Sequence, residues 1–360
     1  MTVFKNLLYK GEKTDITVSD GKILSVGKTD KDGVDMSGLK VYPGLIDVHI
    51  HGALGHDASD PESSLKIISD YELSHGITTF YPTTVAVDKE ELVKLVNRDI
   101  SAVGGANIPG FHMEGPFINK AKKGAINDEY IIPASEELFE RFNASGQVKR
   151  MTLAPETEGA MEFIEHCPAV VSLGHTTADY DTVKKALARG AASLTHTFNV
   201  MPGIHHRDPG PIGAAFDTEG AYAELISDGV HIHPSAVRML IKLFGTDRVV
   251  LISDSVRAAG LDDGEYDLGG VPTVVKDGIA RTLGGNLAGS TTNLFDCVKC
   301  AISFGIPEED AVKMASENPA KMMGLNKGKI ESGYDADLIM VDDKFNLKYV
   351  VLGGEAVVRA

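Results

Sequence analysis

The most constraining feature of this sequence is a series of eight short apolar runs between residues 45 and 325. They alternate with stretches of helical periodicity at residues 63–75, 89–103, 135–142, 180–189 and 234–244. Because strands that alternate with helices form parallel sheets, eight such units predict an α/β fold of the (β/α)8 TIM-barrel type. A doubly wound parallel sheet is the alternative. The apolar runs lie at residues 45–50, 77–81, 108–113, 151–154, 170–173, 192–194, 222–226 and 249–252.

The two ends of the chain show a different pattern, made of short strand-like segments and tight turns. Asp20-Gly21 and Gly353-Gly354 are turn signals, because these residue types tolerate a positive φ. Chain termini are often close in space. We therefore expect residues 1–44 and 326–360 to form a small β-sandwich domain, beside a barrel domain of residues 45–325.

The composition indicates which classes of binding partner and which compartment to expect. Hydrophobic residues make up 43% of the chain, which is enough for a large core and excludes disorder as the main state. Asp and Glu outnumber Lys and Arg by 51 to 35, so the net charge of −16 argues against nucleic-acid and membrane binding. With three cysteines and no apolar leader or membrane-spanning run, a cytoplasmic protein is expected.

Histidine and acidic side chains cluster where the predicted strands end. His49 and His51 close the first run, and a strand's period of two places both on one face. In a barrel the strand ends meet at one face, where barrel active sites lie. Nitrogen and oxygen donors accept zinc, iron, manganese or cobalt, so one or two divalent metal ions are predicted there. The further candidate ligands at later strand ends are Glu114, His175 and His196, and Asp254 lies at the end of the eighth run.

Several motifs resemble a known family. The segment PGLIDVHIHG at residues 43–52 is similar to the opening motif of the amidohydrolase superfamily. Further segments resemble the N-acetylglucosamine-6-phosphate deacetylases within it, and together they span nearly the whole chain. They are HMEGPF at 112–117, KKG at 122–124, HTFNVMP at 196–202, DGVH at 228–231 and LAGST at 287–291.

The resemblance implies a metal-dependent hydrolase that converts N-acetyl-D-glucosamine 6-phosphate to D-glucosamine 6-phosphate and acetate. It implies that Glu114, His175 and His196 hold the main metal ion. His49 and His51 would hold a second ion, with Glu114 bridging the two. Asp254 would be the general acid and base.

The resemblance also implies a set of substrate contacts. Arg207 and His231 would bind the sugar phosphate, with Arg207 reaching in from a neighbouring subunit of a homodimer or homotetramer. Further residues would line the sugar site: Ala125, Asn199, Val200, Leu287, Ala288 and Gly289.

One position departs from this pattern. The family has a histidine two residues after the glycine of the KKG motif, and this chain has Ile126 there. That histidine is expected to contact the sugar, and an isoleucine cannot replace its hydrogen bond. The alternative substrate is therefore a related N-acyl sugar phosphate, such as N-acetylgalactosamine 6-phosphate. A third hypothesis, a sugar-phosphate-binding protein on an inactive barrel, is disfavoured because the metal donors and Asp254 are all present.

Three weaker signals have competing interpretations. Arg257, close to Asp254, is either a phosphate ligand or a solvated side chain. The lysines between residues 120 and 123 either steer phosphate or lie on a solvated loop. Cys297 and Cys300 have Cys-x-x-Cys spacing but no second pair, which favours two helix thiols over a zinc or redox site.

Overall fold

A computed structural model describes residues 1–359, and its central feature is a barrel of parallel strands. The strands follow one another around the barrel in chain order, which excludes the doubly wound alternative. The first and last strands meet where the Asp254 amide donates to the His49 carbonyl at 2.9 Å. The barrel strands are Leu45–Ile50, Ile77–Thr84, Phe111–Glu114, Val148–Leu153, Val170–Leu173, Ser193–Leu194, Tyr222–Ile226 and Val249–Ile252.

Helices cover the outside of the barrel. They are Leu65–Ser74, Lys89–Val96, Glu136–Phe142, Ala160–His166, Tyr180–Ala188, Gly210–Phe216, Pro234–Phe244, Leu294–Ser303, Glu308–Ala315 and Glu317–Met322, with short 3-10 turns at Lys120–Lys122 and Asp128–Tyr130.

One of these helices is shorter than predicted. The helix expected over residues 89–103 ends at Val96, because the Asn97 side chain donates to the Val93 carbonyl at 2.8 Å and closes the last turn. The thiols Cys297 and Cys300 lie in the helix Leu294–Ser303, as predicted. Across residues 1–359, every helix is too short or too polar to cross a membrane.

The terminal segments pair with each other in one mixed sheet, and a separate β-sandwich domain stays a prediction. Successive residues of the sheet's strands pack into two separate cores. Tyr42 and Ile339 belong to the core of the barrel, whereas Val41 and Leu338 belong to the sheet's own core. The boundaries at residues 44 and 326 stay a prediction. The strands are Thr2–Tyr9, Glu12–Ser19, Lys22–Val26, Val34–Asp35, Lys40–Pro43, Leu338–Val341, Leu347–Leu352 and Glu355–Arg359.

A small antiparallel sheet follows the last barrel strand and was not predicted from the sequence. Its strands are Gly264–Leu268, Val271–Lys276 and Ile279–Thr282. Arg257 ties this sheet to the barrel, since its guanidinium lies 2.8 Å from Asp267 and 3.3 Å from Asp60. Arg257 is therefore neutralised by carboxylates, which decides against both earlier interpretations. A two-stranded ribbon, Gly52–Ala53 with His56–Asp57, follows the first strand.

The barrel interior is filled in layers. One apolar cluster includes Ile46, Tyr81, Val250 and Ile252 of the strands, and Met322 of the helix Glu317–Met322 packs into it. Above it lies a layer of hydroxyl groups joined by hydrogen bonds: Thr152 to Thr195 at 2.9 Å, Thr195 to Ser172 at 2.6 Å and Ser193 to Ser172 at 2.8 Å. The polar strand ends therefore rest on a closed floor.

Glu72 makes one helix–barrel interface sensitive to pH. This side chain is fully buried, and its carboxyl oxygens have no hydrogen-bond partner within residues 1–359. Burial, and then the nearby Asp47, raise the pKa of Glu72 well above its usual value. The folded state thus keeps a proton that the unfolded chain releases near the ordinary glutamate pKa of about 4.3, so stability falls as the pH rises above that value.

We expect Glu72→Gln to stabilise the protein at pH 8, because the variant stays neutral when folded. The expected rise in melting temperature is on the order of 2–4 °C, which corresponds to about 1 kcal/mol in a large domain. Thermal unfolding between pH 5 and 8 measures it, with the exposed Glu140→Gln as control. A gain that does not grow with pH would contradict the assignment.

Candidate active site and metal centre

The carboxyl ends of five barrel strands bring the predicted donors together. Glu114 ends the third strand, and His175, His196 and Asp254 follow the fifth, sixth and eighth. The last three adopt a left-handed backbone, with φ of 48°, 30° and 49°. Such values are costly for residues other than glycine and accumulate at functional sites. Local strain therefore coincides with the residues that the sequence singled out.

The donors form two buried groups that share one centre. Glu114 Oε1 lies 3.0 Å from both His175 Nε2 and His196 Nε2, and these two nitrogens are 3.2 Å apart. His49, His51 and Asp254 form the second group, in which Asp254 Oδ1 lies 3.4 Å and 3.2 Å from the two Nε2 atoms. The other oxygen of Glu114 lies 3.3 Å from His51 Nε2, so this carboxylate spans both groups.

Outer hydrogen bonds fix which nitrogen of each ring faces the centre. His175 Nδ1 lies 2.8 Å from the Lys122 carbonyl, and His51 Nδ1 lies 3.0 Å from the Thr83 carbonyl. A carbonyl only accepts, so each Nδ1 carries the proton and each Nε2 directs a lone pair inward. His49 Nε2 is buried and has no hydrogen-bond partner among residues 1–359. Lone pairs that face carboxylate oxygens at this spacing fit a bound cation.

The electrostatics agree with this donor set. Burial acts to lower the pKa of His49, but Glu114 and Asp254 outweigh it and raise that pKa to about 9. Burial acts to raise the pKa of Glu114, but the surrounding histidines hold it well below its usual range. The site therefore favours positive charge at its centre, which divalent metal ions supply.

The centre lies at the bottom of a cavity of about 560 Å³. Most of the predicted substrate contacts line it: Ala125, Asn199, Val200, His231, Leu287 and Gly289. Ile126 lines it as well and is otherwise buried. The lysines at residues 120, 122 and 123, which the sequence left open, belong to the same wall.

Two predicted contacts lie elsewhere in the single chain. Ala288 is fully buried and does not line the cavity, because its amide donates to the Ala280 carbonyl and holds it against the small sheet. Arg207 is exposed on the loop before the helix Gly210–Phe216, where it contacts His206 at 2.7 Å. Within one chain, neither side chain contributes to the cavity wall.

His231 is the imidazole at the side of the cavity. Its Nδ1 donates to Asp228 at 2.7 Å, and Asp228 also accepts the His231 backbone amide at 2.9 Å. Burial acts to lower the pKa of His231, but Asp228 outweighs it and raises the pKa above its usual value. A raised pKa favours the charged imidazole, which in the same cavity as the lysines would suit an anionic group of the ligand.

Sequence reasoning missed the charged residues inside the barrel. Glu224 lies in the seventh strand and Arg150 in the fourth, and both are fully buried. A charged residue in the middle of an apolar run such as YAELI was the available signal. Leu268 and Asn286, which also line the cavity, belong to the small sheet and its following loop, which were not predicted.

Comparison with known proteins places the chain in a family. The model of the Amidohydrolase family matches residues 41–357. The chain belongs to this amidohydrolase family. It is 36% identical over 348 residues to the N-acetylglucosamine-6-phosphate deacetylase of Bacillus subtilis, covering 91% of this chain and 88% of the relative. It is 31% identical over 353 residues to the N-acetylgalactosamine-6-phosphate deacetylase of Escherichia coli O157:H7, covering 94% and 93%.

Solved structures show the same architecture. The N-acetyl-D-glucosamine-6-phosphate deacetylase of Mycobacterium smegmatis, solved as a variant with N-acetyl-D-glucosamine-6-phosphate, has a TM-score of 0.93 at 29% identity. The N-acetylglucosamine-6-phosphate deacetylase of Thermotoga maritima has a TM-score of 0.92 at 32% identity. Alignment covers 99% of both chains in the first case and 100% in the second. The TIM barrel predicted from the sequence is thereby confirmed.

Proposed function

We propose that this protein hydrolyses the acetamide of N-acetyl-D-glucosamine 6-phosphate to give D-glucosamine 6-phosphate and acetate. The observation that carries the proposal is the convergence of two donor groups at the bottom of one cavity. The similarity to deacetylases over nearly the whole chain supports it. The substrate is thus a small amino-sugar phosphate.

The donor set fits one or two divalent ions of zinc, iron, manganese or cobalt. Glu114, His175 and His196 would hold the main ion, and His49 and His51 the second, with Glu114 shared and Asp254 within reach. When bound, such an ion lowers the pKa of a water molecule to near 7 and polarises a carbonyl oxygen.

Asp254 is the residue proposed to move the proton. Burial acts to raise the pKa of Asp254, but His49 and His51 outweigh it and lower the pKa, so this group is a carboxylate that can accept a proton. In the reaction, water adds its oxygen to the acetyl carbon and the carbon–nitrogen bond breaks. Asp254 takes the proton from water and passes it to the amine nitrogen, which leaves as a neutral group.

The cavity walls would orient the sugar. Asn199, Val200, Ala125, Leu287 and Gly289 are proposed to surround the ring. His231 is proposed to bind the phosphate, since Asp228 raises the pKa of its imidazole and so favours the charged form.

Arg207 is proposed to reach the phosphate of a neighbouring subunit. Its exposed position on the loop before the helix Gly210–Phe216 supports a role between subunits over a role within one chain. This role would require a homodimer or homotetramer, which we propose as the assembly.

Acetate release tests the proposed function. The protein is loaded in turn with zinc, iron and manganese, and each form is given N-acetylglucosamine 6-phosphate, its galactosamine isomer and unphosphorylated N-acetylglucosamine. Fast release from the first substrate alone is expected. No release from any of them, with metal demonstrably bound, would overturn the proposal.

The second candidate is deacetylation of N-acetylgalactosamine 6-phosphate. Ile126 favours it, because this residue stands on the cavity wall where the resemblance places a histidine that contacts the sugar. The similarity to a relative of that name adds support. Preference for this isomer in the same assay would keep the chemistry and change the substrate.

We expect Ile126→His to raise kcat/KM for N-acetylglucosamine 6-phosphate about fivefold, which is the effect of one hydrogen bond of about 1 kcal/mol. Steady-state kinetics on both sugar isomers measures the change. Ile126→Leu is the matched control, because it keeps the apolar wall. An unchanged ratio between the two isomers would contradict a role of this position in sugar recognition.

A further inference from the structure

Glu224 is a buried carboxylate that contacts both donor groups without belonging to either. Its Oε2 lies 3.3 Å from His49 Nδ1, in the group with His51 and Asp254. The same oxygen accepts the backbone amide of His196 at 3.0 Å, in the group with Glu114 and His175. One oxygen atom therefore fixes a ring in one group and the backbone in the other.

Arg150 lies on the opposite side of this carboxylate. Its guanidinium pairs with Glu224 Oε1, and both side chains are fully buried. The guanidinium also donates to the Val48 carbonyl and to the Ser193 hydroxyl, each at 3.2 Å. These contacts hold Arg150 on the hydroxyl layer beneath the site, so it stabilises Glu224 from below.

We propose that Glu224, held by Arg150, is a positioning residue that orients His49 toward the metal centre and couples the two donor groups. This inference rests on the proposed metal-dependent function. Because Glu224 accepts at His49 Nδ1, it places the proton there and leaves the Nε2 lone pair facing the centre. Because it also holds the His196 amide, it supports the left-handed backbone that directs that ring inward.

Arg150 gives this carboxylate the charge partner that it needs, because an unpaired charge in this interior would be strongly destabilising. Its contact at Oε1 leaves Oε2 of Glu224 to accept from the N–H donors of His49 and His196.

The isosteric change Glu224→Gln tests the inference. In any orientation, the NH2 group of the new amide faces a donor of His49 and His196, or of Arg150, so at least one hydrogen bond is lost. We expect metal affinity to fall about 10–100-fold, the loss typical of removing a partner of a metal-bound histidine. Zinc affinity is measured by competition with a chelator, and the cobalt(II) absorption spectrum of the variant should change. Glu72→Gln is the control, since Glu72 is equally buried and contacts no donor.

A double variant separates positioning from stability. In Glu224→Gln combined with Arg150→Met, the amide oxygen can again accept from His49 and His196, because the guanidinium no longer competes. We expect this double variant to bind zinc at least about threefold more tightly than the single variant Glu224→Gln. The proposal would be overturned if the two substitutions lowered zinc affinity and changed the cobalt spectrum additively. It would also be overturned if Glu224→Gln folded with unchanged zinc affinity and cobalt spectrum.

The experiment is independent of the substrate. Zinc affinity and the cobalt spectrum are measured without any sugar, so a wild-type protein that releases no acetate would overturn the proposed function alone. Conversely, full deacetylase activity together with unchanged metal binding in Glu224→Gln would overturn only the positioning role.

Discussion

Replacing Asp254 with asparagine should lower kcat by about 10²–10⁴-fold, the range of proton-transfer catalysis by a positioned side chain. Asparagine keeps the shape of the side chain but cannot accept a proton from water or return it to the amine. The Glu114, His175 and His196 group does not include Asp254, so its metal should be retained. Any loss of metal should be confined to the group of His49 and His51.

Two measurements on one preparation separate these effects. Acetate release gives kcat, and mass spectrometry of the dialysed protein gives the metal content per chain. Asp262→Asn is the matched control, because Asp262 is exposed on the loop after the eighth strand. Near-normal kcat in Asp254→Asn would remove this residue from the reaction.

Glu114→Gln should affect both donor groups at once. Glu114 Oε1 contacts His175 and His196, and Oε2 contacts His51, so an amide replaces a carboxylate at the centre of the site. We expect activity to fall by more than about 100-fold, because loss of a direct ligand costs at least as much as loss of its outer partner. Metal content should fall below that of Asp254→Asn.

Zinc titration of the metal-free variant measures this loss directly. The exposed Glu129→Gln is the control for a change of net charge on a nearby loop. Full metal content in Glu114→Gln would show that the carboxylate does not bind metal, and would return the site to its five other donors.

The barrel was predictable because its strands are buried on both faces. The runs at residues 45–50, 170–173, 222–226 and 249–252 coincide with strands of the structure. Parallel strands covered by helices need continuous apolar sequence, and little else in the chain has that composition. The third strand differs: residues 108–113 were predicted, but the strand is Phe111–Glu114, since Pro109 and Gly110 precede it and interrupt the pattern.

Some helices and strands could not be predicted, because their sequences are not typical of the structure they adopt. The helix Gly210–Phe216 contains two glycines and a proline, which suit it poorly as an isolated helix, and tertiary packing overrides that preference. In the small sheet after Asp254, Asp277-Gly278 was a hairpin signal, but the flanking strands are short and half-exposed.

The donor set was predictable because strand ends converge in any barrel, so residues as distant as His49 and Asp254 meet. The residues that line the cavity walls were harder to predict, because side chains on loops do not alternate in direction with a fixed period. Ala288 turned out to be buried behind the wall, whereas its neighbours Leu287 and Gly289 line it. Glu224 was not predicted because it lies within the seventh strand, whereas the predicted donors lie at strand ends.

The closed floor of the barrel limits how substrate and products can enter and leave the site. The hydroxyl layer and the apolar cluster beneath it leave the cavity mouth as the route between the centre and solvent. In the proposed reaction the acetyl group would lie against the donors and the sugar phosphate nearer the mouth. Acetate would then form beneath the amino sugar, and both products would have to leave through the same opening.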